Sequence, residues 1–428
     1  MMNNNKSEYL DTLAKFIASF KSKKLDENLL KHAAITVADT YGTAFSGIKT
    51  KAFKTAFENT DLLFGKGAFE VWGTEKKLSL LGSVFYNSLS ISSTDFDDGH
   101  RKAVGHPASA VTAIAISMGL EKKLKITEVL KSVVLGYEIA TRFSLARKPE
   151  NINSYSSGRW AAFGAAATAA YILEFDREQI INALSNAFVL SPHMLGGSSD
   201  VSTGAMSKEG VAWAVQSGLQ SAILAKSGFS GPFLFIEESD EFDPLKLTDG
   251  LGDSFFISSN YFKPYACCRW LHPAINACSN LVVENNINIE EIVKIKVSTF
   301  SRIKDLISEK YPTNVIMAQF HLPYALSVMM LYNQCIPEYF NDDYLKNAEI
   351  RNLINKMEII SNDKYDNIFP SKLASSIEID TASQKYFKEK LSAPWDFGDH
   401  PSMDDLQRKF NLQTNEFKHI PWDWFFNF

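Results

Sequence analysis

Residues 93–111 constrain this chain most, because they place many charged side chains between two apolar segments. The stretch reads STDFDDGHRKAVGHPASAV. Apolar runs of helical length, residues 78–91 and 108–120, lie on either side of it, and we expect both to form buried helices. Charged groups between two core helices are costly unless they are paired or line a cleft. This link is therefore the first candidate for a functional site.

The link is rich in groups that transfer protons. Asp95, Asp98, His100 and His106 all lie in it, which is more than a solvated helix cap requires. Aspartate and histidine also bind metals, but no second cluster with ligand spacing occurs in the sequence, so we expect no metal. The remaining acid and histidines of interest stay unassigned: Asp97, His193 and His321.

Composition excludes several classes of protein. The net charge is −5 and no polybasic stretch occurs, which argues against a nucleic-acid partner. No apolar run reaches membrane-spanning length and the start lacks a signal-peptide core, so we expect no membrane contact. The four cysteines, without zinc-like spacing, are typical of a reduced protein, and we expect a cytoplasmic location.

The element pattern predicts a mostly α fold with two domains. Helix follows helix up to residue 262, with Asp26 and Asp176 as predicted N-caps. The next segment alternates as a strand over residues 292–300, has a long predicted helix from Asn314 to Tyr332, and ends in a predicted strand pair. We therefore expect a large all-helical domain, residues 1–262 with residues 395–428 returning to it, and a smaller α+β domain, residues 263–394.

Further polar side chains occur at loop–helix junctions far from the link in sequence. Cations at helix starts suit an anionic substrate. A carboxylate or histidine can remove a proton beside a carboxylate, and a lysine or tyrosine can protonate a leaving group. Each of these residues could instead be structural, as a core tyrosine or a paired arginine would be. The set consists of Tyr155, Arg159, Lys208, Lys263, Arg269, His272 and Tyr324.

Six motifs in order resemble the MmgE/PrpD family, which includes 2-methylcitrate dehydratase, cis-aconitate decarboxylase and iminodisuccinate epimerase. They are DFDD-x-H…HP at 95–107, SGRWAAFGAAA at 157–167, KEGVAWA at 208–214, GFSGP at 228–232, KPYACCRWLH at 263–272 and PSMDDLQRKF at 401–410. The resemblance implies a helical domain with an inserted α+β lid, a homodimer, and no metal or organic cofactor. It also implies that the catalytic residues are Asp95, His106, Lys208, Lys263 and Tyr324.

Two positions depart from the family pattern. Tyr155 stands where the decarboxylase and methylcitrate branches carry a histidine before the Gly/Ala helix. Glu209, Gly210 and Val211 follow the lysine, where those branches carry a further histidine. These departures argue against transferring cis-aconitate decarboxylation or methylcitrate dehydration directly to this chain.

The sequence thus predicts a cofactor-independent lyase or dehydratase acting on a small di- or tricarboxylate. Asp95 and His106 are the predicted proton-transfer groups, and Lys208, Lys263 and Tyr324 are the predicted catalytic partners. An epimerase of an amino- or imino-dicarboxylate is the first alternative, and a non-catalytic metabolite-binding homologue is the second. The predicted substrate-binding residues are Asp98, His100, Tyr155, Arg159, Arg269 and His272.

Overall fold

The computed structural model describes residues 7–152, 156–193 and 201–428. It contains a helical domain and a smaller lid with a sheet. The helical domain has its own apolar core, which the tail of the chain completes from Leu406 to Phe425. A second core lies between Ala266 and Ala393, with Phe96 from the link added to it. The fold is therefore mostly α with a smaller α+β domain, as predicted.

The helical domain is built from twelve helices with defined bounds in the described ranges. Ser7, Asp26 and Asp176 cap α1, α2 and α9 with their side chains, as the sequence predicts for the last two. The helices are α1 (Glu8–Ser19), α2 (Glu27–Gly47), α3 (Lys51–Phe57), α4 (Thr60–Phe64), α5 (Leu80–Ser92), α6 (Pro107–Glu121), α7 (Ile126–Ala146), α8 (Gly158–Ile172), α9 (Arg177–Leu190), α10 (Val211–Lys226), α11 (Phe235–Glu238) and α12 (Pro244–Thr248). A short antiparallel pair, β1 (Lys66–Glu70) and β2 (Lys77–Leu78), packs beside α5.

Helix α8 lies at the centre, and every one of its residues is buried. Its small side chains allow α7 and α10 to approach closely. A Cβ atom on Gly136 of α7 would lie 2.9 Å from the carbonyl oxygen of Gly164, and one on Gly218 of α10 would lie 2.3 Å from that of Ala162. The apolar, small-residue pattern of α8 therefore reflects contact on all sides, and it fixes the position of the loop before its first turn.

The lid combines a four-stranded sheet with five helices. The strands are β3 (Ile292–Thr299), β4 (Met357–Ser361), β5 (Ser375–Thr381) and β6 (Lys385–Lys390), in the order β4-β3-β5-β6, with only the β3–β4 pair parallel. Ile295 pairs with Ile379 and Val297 with Ile377, so both strands direct these side chains to the buried face. The helices are α13 (His272–Asn285), α14 (Val315–Phe320), α15 (Leu322–Tyr332), α16 (Ala348–Asn355) and α17 (Asp363–Asp366).

The predicted long helix from Asn314 to Tyr332 is wrong in one respect, because two helices occupy that range. His321 separates α14 from α15 in an extended conformation, and its Nδ1 accepts a hydrogen bond from the backbone N–H of Tyr324. Pro323, in the first turn of α15, has no N–H to continue a helix from α14. A proline at a helix start therefore marked a new helix rather than the interior of one.

The chain passes between the two domains at two adjacent places. The N–H of Phe262 donates to the carbonyl oxygen of Trp395 over 3.0 Å, which ties the crossings together. After the second crossing, α18 (Met403–Thr414) packs against α2 of the helical domain. None of the described helices has both the length and the apolar composition that crossing a membrane requires.

Candidate active site

Asp95 is the centre of a buried cluster of charges. Lys208 Nζ lies 3.1 Å from its Oδ1, Lys263 Nζ lies 2.9 Å from its Oδ2, and His106 Nε2 lies 3.4 Å from Oδ1. Asp95 has a φ of 51°, a left-handed conformation that only a minority of non-glycine residues adopt. Two lysines from distant parts of the chain and one histidine from the link thus meet one carboxylate.

Burial alone would raise the pKa of Asp95, because a desolvated carboxylate prefers its neutral form. The charges of Lys208, Lys263 and His106 outweigh that effect and hold the pKa well below its usual range. Asp95 is therefore an anion whose two oxygens both face cations. In this arrangement it balances charge and orients the two lysines.

His106 precedes α6 as its N-cap residue and is held in one tautomer. Its Nδ1 lies 2.8 Å from the carbonyl oxygen of Asp98, which can only accept, so Nδ1 carries a proton. Nε2 is then the titrating atom, and it faces Asp95. Burial lowers the pKa of His106, but Asp97 at 3.2 Å, Glu209 and Asp95 raise it to about 9. His106 is therefore a cation at neutral pH.

Lys208 and Glu209 belong to a tight turn directly before α10. Lys208, Glu209 and Gly210 have φ values of 38°, 56° and 68°, three successive left-handed residues. Burial lowers the pKa of Lys208, but Asp95 and then Glu209 outweigh it and raise the pKa above its ordinary value. Ser157 couples this turn to the link, because its hydroxyl donates to Glu209 Oε2 over 2.8 Å and accepts from the N–H of His106 over 3.2 Å.

Lys263 reaches the cluster from the first crossing between the domains, since it follows Phe262 directly. A second buried ion pair lies next to it, in which Lys409 Nζ on α18 is 2.7 Å from Asp39 Oδ1 on α2. The same ammonium donates to the carbonyl oxygen of Phe96 over 2.7 Å. The tail helix therefore holds the peptide next to Asp95 in place.

Asp98 and His100 shape the link and do not join the cation cluster. Asp98 accepts from the N–H of Ala108 in the first turn of α6 and from Tyr137 and Asn260, and burial followed by the charge of Asp97 raises its pKa to about 7. His100 bonds to the N–H of Ala103 and lies 3.0 Å from the Ser259 hydroxyl. Burial lowers the pKa of His100 to about 4, so it is neutral. Both side chains bond to protein groups, and their contact with substrate stays a prediction.

Arg159, a predicted substrate-binding residue, is engaged by protein groups. Its guanidinium makes a two-fold contact with Glu241, with Nε 2.7 Å from Oε1 and Nη2 2.5 Å from Oε2. Nη1 donates to the carbonyl oxygen of Phe188 and to the Ser191 hydroxyl. The structural alternative for Arg159 is therefore the one observed.

Arg269 and His272 stabilise the crossings between the domains. Arg269 Nη1 donates to the carbonyl oxygens of Phe262 and Pro394, one on each crossing, over 3.2 Å and 2.5 Å. His272 Nε2 lies 3.1 Å from the Cys267 carbonyl oxygen, so it donates there and its Nδ1 accepts from Arg269. Burial, aided by the charge of Arg269, lowers the pKa of His272 well below its usual value. Neither residue is placed among the groups around Asp95.

Of the two predicted tyrosines, Tyr324 is in the lid core and Tyr155 lies outside the described residues. The hydroxyl of Tyr324 donates to the Tyr339 carbonyl oxygen over 2.6 Å, and its ring packs on Phe340. Burial raises the pKa of Tyr324. With its proton committed to a backbone carbonyl, Tyr324 is not placed to protonate a leaving group, so its predicted role receives no support.

Sequence reasoning missed four members of the charge network: Asp39, Asp97, Glu209 and Lys409. Asp97 lay within the DFDD motif, and its two-residue spacing from Asp95 was the available signal. Glu209 was noticed only as a departure from the family pattern. Asp39 and Lys409 lie on helices near opposite ends of the chain. Lys409 stands beside Arg408 in the PSMDDLQRKF motif, and nothing local distinguishes it from the other charges of that helix.

A cleft of about 710 Å³ opens between the helical domain, the lid and the tail helix. Ser93, two residues before Asp95, lies in its wall, together with Asn314 of the lid and Gln413 of α18. Lys51 and Asp342, also in the wall, form an ion pair of 3.1 Å that joins the two domains. The cleft is large enough for a small polycarboxylate and touches the link at Ser93, whereas Asp95 and its three cationic partners do not line its wall.

Comparisons with known proteins agree with this architecture. The MmgE/PrpD N-terminal domain matches residues 11–249, and the MmgE/PrpD C-terminal domain matches residues 265–419. A cis-aconitate decarboxylase from Aspergillus terreus is 23% identical over 91% of this chain and 86% of its own length. The cis-aconitate decarboxylase of Homo sapiens is 22% identical over 96% of this chain and 89% of its own. With both domains matched in order around the Asp95 cluster, the chain belongs to the MmgE/PrpD family.

Proposed function

We propose that this chain is a lyase that acts on a small di- or tricarboxylate by removing a proton from carbon next to a carboxylate. The observation that carries the proposal is the meeting of Lys208, Lys263 and His106 around Asp95. Removing such a proton leaves an enolate, and preorganised cations stabilise that charge better than water does. The two relatives named cis-aconitate decarboxylase support a polycarboxylate as the substrate class.

The protein groups take distinct parts in this reaction. The ammonium groups of Lys208 and Lys263 each carry three N–H donors, and Asp95 uses only part of them. The remaining donors bind the substrate carboxylate and its developing charge. His106, protonated at neutral pH, supplies the proton to the leaving group from Nε2. Asp95 holds the cations together before substrate binds.

The proposal needs no metal or organic cofactor, because each charge and proton in it comes from a side chain. The cytoplasmic location and the homodimer expected from the sequence remain part of the proposal. The missing histidines and the position of Tyr324 separate this chain from a direct copy of either well-described branch. The carbon skeleton of the substrate therefore has to be identified by experiment.

Proton NMR of the purified protein in D2O tests this function with citrate-like, aconitate-like and aspartate-derived polycarboxylates. Loss of water from one of them, seen as an alkene product whose reacting carbon has lost one proton, is the expected result. Deuterium incorporation without loss of water or CO2 would support an epimerase instead. No reaction and no exchange across the panel, at enzyme concentrations up to stoichiometric, would reject catalysis on this substrate class.

A further inference from the structure

The cluster raises the question of which group takes the proton, because the predicted pair does not suit that step. His106 already carries a proton at neutral pH. Both oxygens of Asp95 face lysines, and its side chain is 3% exposed. Asp97 lies against His106 and is 1% exposed. Asp98 accepts three hydrogen bonds from protein donors. Asp95 Oδ2 and both oxygens of Asp97 accept no hydrogen bond from the described residues, but all three aspartates are buried, so none of them offers an accessible oxygen.

Glu209 differs from these aspartates in its accessibility. Its side chain is 23% exposed, and its two oxygens have different surroundings. Oε2 accepts from the N–H of Ser157 over 3.1 Å and from its hydroxyl over 2.8 Å, which fixes the carboxylate. Oε1 lies 4.0 Å from Lys208 Nζ. One oxygen is thus anchored, and the other stands beside a cation of the cluster.

The backbone of the turn at residues 208–210 is conformationally strained. A left-handed conformation is unfavourable for a non-glycine residue, and such strain is concentrated at functional sites. Lys208 and Glu209 are consecutive residues with left-handed φ values, and Gly210 after them is also left-handed. The turn is also closely packed, because a Cβ atom on Gly158 of α8 would lie 2.4 Å from the carbonyl oxygen of Glu209. The surrounding structure therefore over-determines a conformation that a solvated glutamate would not need.

We propose that Glu209 is the catalytic base of this enzyme, with Lys208 as the adjacent stabiliser of the enolate; this inference rests on the proposed function. Glu209 Oε1 takes the proton from the carbon next to the substrate carboxylate, and the C–H electrons form the new C=C bond. The C–O bond of the leaving hydroxyl breaks toward oxygen, which takes the Nε2 proton of His106 and departs as water. Glu209 ends protonated and His106 neutral, so the charges balance.

Glu209→Gln tests the base role, because glutamine has nearly the same shape and can accept the same hydrogen bonds from Ser157. We expect kcat to fall by about 10²–10⁴-fold with little change in KM, which is the range for loss of a general base. Glu209→Asp should restore part of kcat. Glu358→Gln is the matched control, since Glu358 pairs with Lys294 on the exposed sheet of the lid, and its kcat should be unchanged. Full activity in Glu209→Gln would overturn the assignment, as would a reaction that releases CO2 independently of residue 209.

A chemical label provides a second measurement that does not depend on turnover. trans-Epoxysuccinate is a dicarboxylate that forms an ester when a carboxylate oxygen bonds to an epoxide carbon; the C–O bond opens and the alkoxide takes a proton from the medium. We expect mass spectrometry of the digested protein to find the ester at Glu209, prevented by excess succinate and absent from Glu209→Gln. An ester at Asp95, or none that succinate prevents, would overturn the inference.

The two measurements separate this inference from the proposed function. Loss of water from a polycarboxylate with full activity in Glu209→Gln leaves the lyase standing and removes Glu209. A protected ester at Glu209 without reaction or proton exchange on the panel removes the lyase, and the base role with it.

Discussion

The Asp95 cluster and the Arg159–Glu241 pair use buried charge in opposite ways. At Arg159, each of the three guanidinium nitrogens donates to a protein acceptor, and one glutamate serves one arginine. At Asp95, two lysines and one histidine share a carboxylate, and within the described ranges that carboxylate is the acceptor the two ammonium groups have in common. The first arrangement is complete without a ligand, and the second retains donors that an anion can use.

This difference teaches why a cation at a helix start is a weak predictor of substrate binding. Arg159 and Lys208 look alike in sequence, because each comes at the start of a helix after a loop rich in serine and glycine. Glu241, which binds Arg159, lies 82 residues further along the chain, so no local sequence pattern predicts this pair. What distinguishes the two is that every guanidinium nitrogen of Arg159 has a protein acceptor, whereas the ammonium of Lys208 has more donors than Asp95 uses.

Asp95→Asn should give the largest effect on stability. Asparagine tolerates the left-handed conformation of this position, so the substitution removes charge with little change in backbone. Removing one partner from a buried ion pair costs about 3–5 kcal/mol, since the remaining charges stay desolvated. We expect a loss of this size in the free energy of unfolding, measured by urea denaturation at pH 7. Glu241→Gln, the matched change in the complete pair, should lose about 1–3 kcal/mol.

Citrate sharpens this comparison. An anion that binds only the folded protein stabilises it, and more so where it replaces a missing charge. Citrate should raise the Tm of Asp95→Asn more than that of the native protein, and it should not raise the Tm of Glu241→Gln beyond the native response. Equal responses in all three proteins would contradict the view that the Asp95 cluster is an anion site.

Lys263→Met should remove most of the activity while the protein remains folded. Loss of one preorganised cation or donor at a developing anion lowers turnover by about 10²–10³-fold. The measurement is kcat/KM on the substrate identified by NMR, with circular dichroism as the check on folding. Lys294→Met is the control, because that lysine forms an exposed pair with Glu358 on the lid sheet and should keep native kcat/KM. Comparable losses in both variants would indicate a general electrostatic effect in place of a specific site.

The architecture and the main members of the cluster could be predicted from the sequence, because the signals for them lie within short segments of the chain. Asp26 and Asp176 are caps whose hydrogen bonds reach three residues, and the strand at Ile292 alternates with its own pleat. Asp95 and His106 occur in one link, which made them visible as a pair. Lys409 could not be predicted, because its partner Asp39 is on a helix near the other end of the chain and only folding brings them together.

The stability of the protein should fall as pH rises from about 7 to about 9. The pKa of His106 is raised from 6.5 to about 9, so its stabilising contribution is fully present below 6.5 and is lost as pH rises through the folded value. Asp98, raised from 3.8 to about 7, contributes a similar loss at lower pH. Urea midpoints at intervals between pH 7 and pH 9 measure the slope. His106→Gln should flatten it, and an unchanged slope in that variant would assign the effect to other groups.

Tyr324→Phe should give the smallest effect and tests the boundary of the site. Its hydroxyl proton is committed to the Tyr339 carbonyl oxygen, so kcat/KM should remain within about two- to three-fold of native, while the lost buried hydrogen bond costs about 1 kcal/mol of stability. Assaying Tyr324→Phe and Lys263→Met on the same substrate distinguishes a polar residue that stabilises the lid core from one that acts on the substrate. A loss of activity in Tyr324→Phe as large as that in Lys263→Met would show that the tyrosine leaves the lid core to reach the substrate. Retained activity confines the chemistry to the charges around Asp95, because those groups have donors that the protein itself does not use.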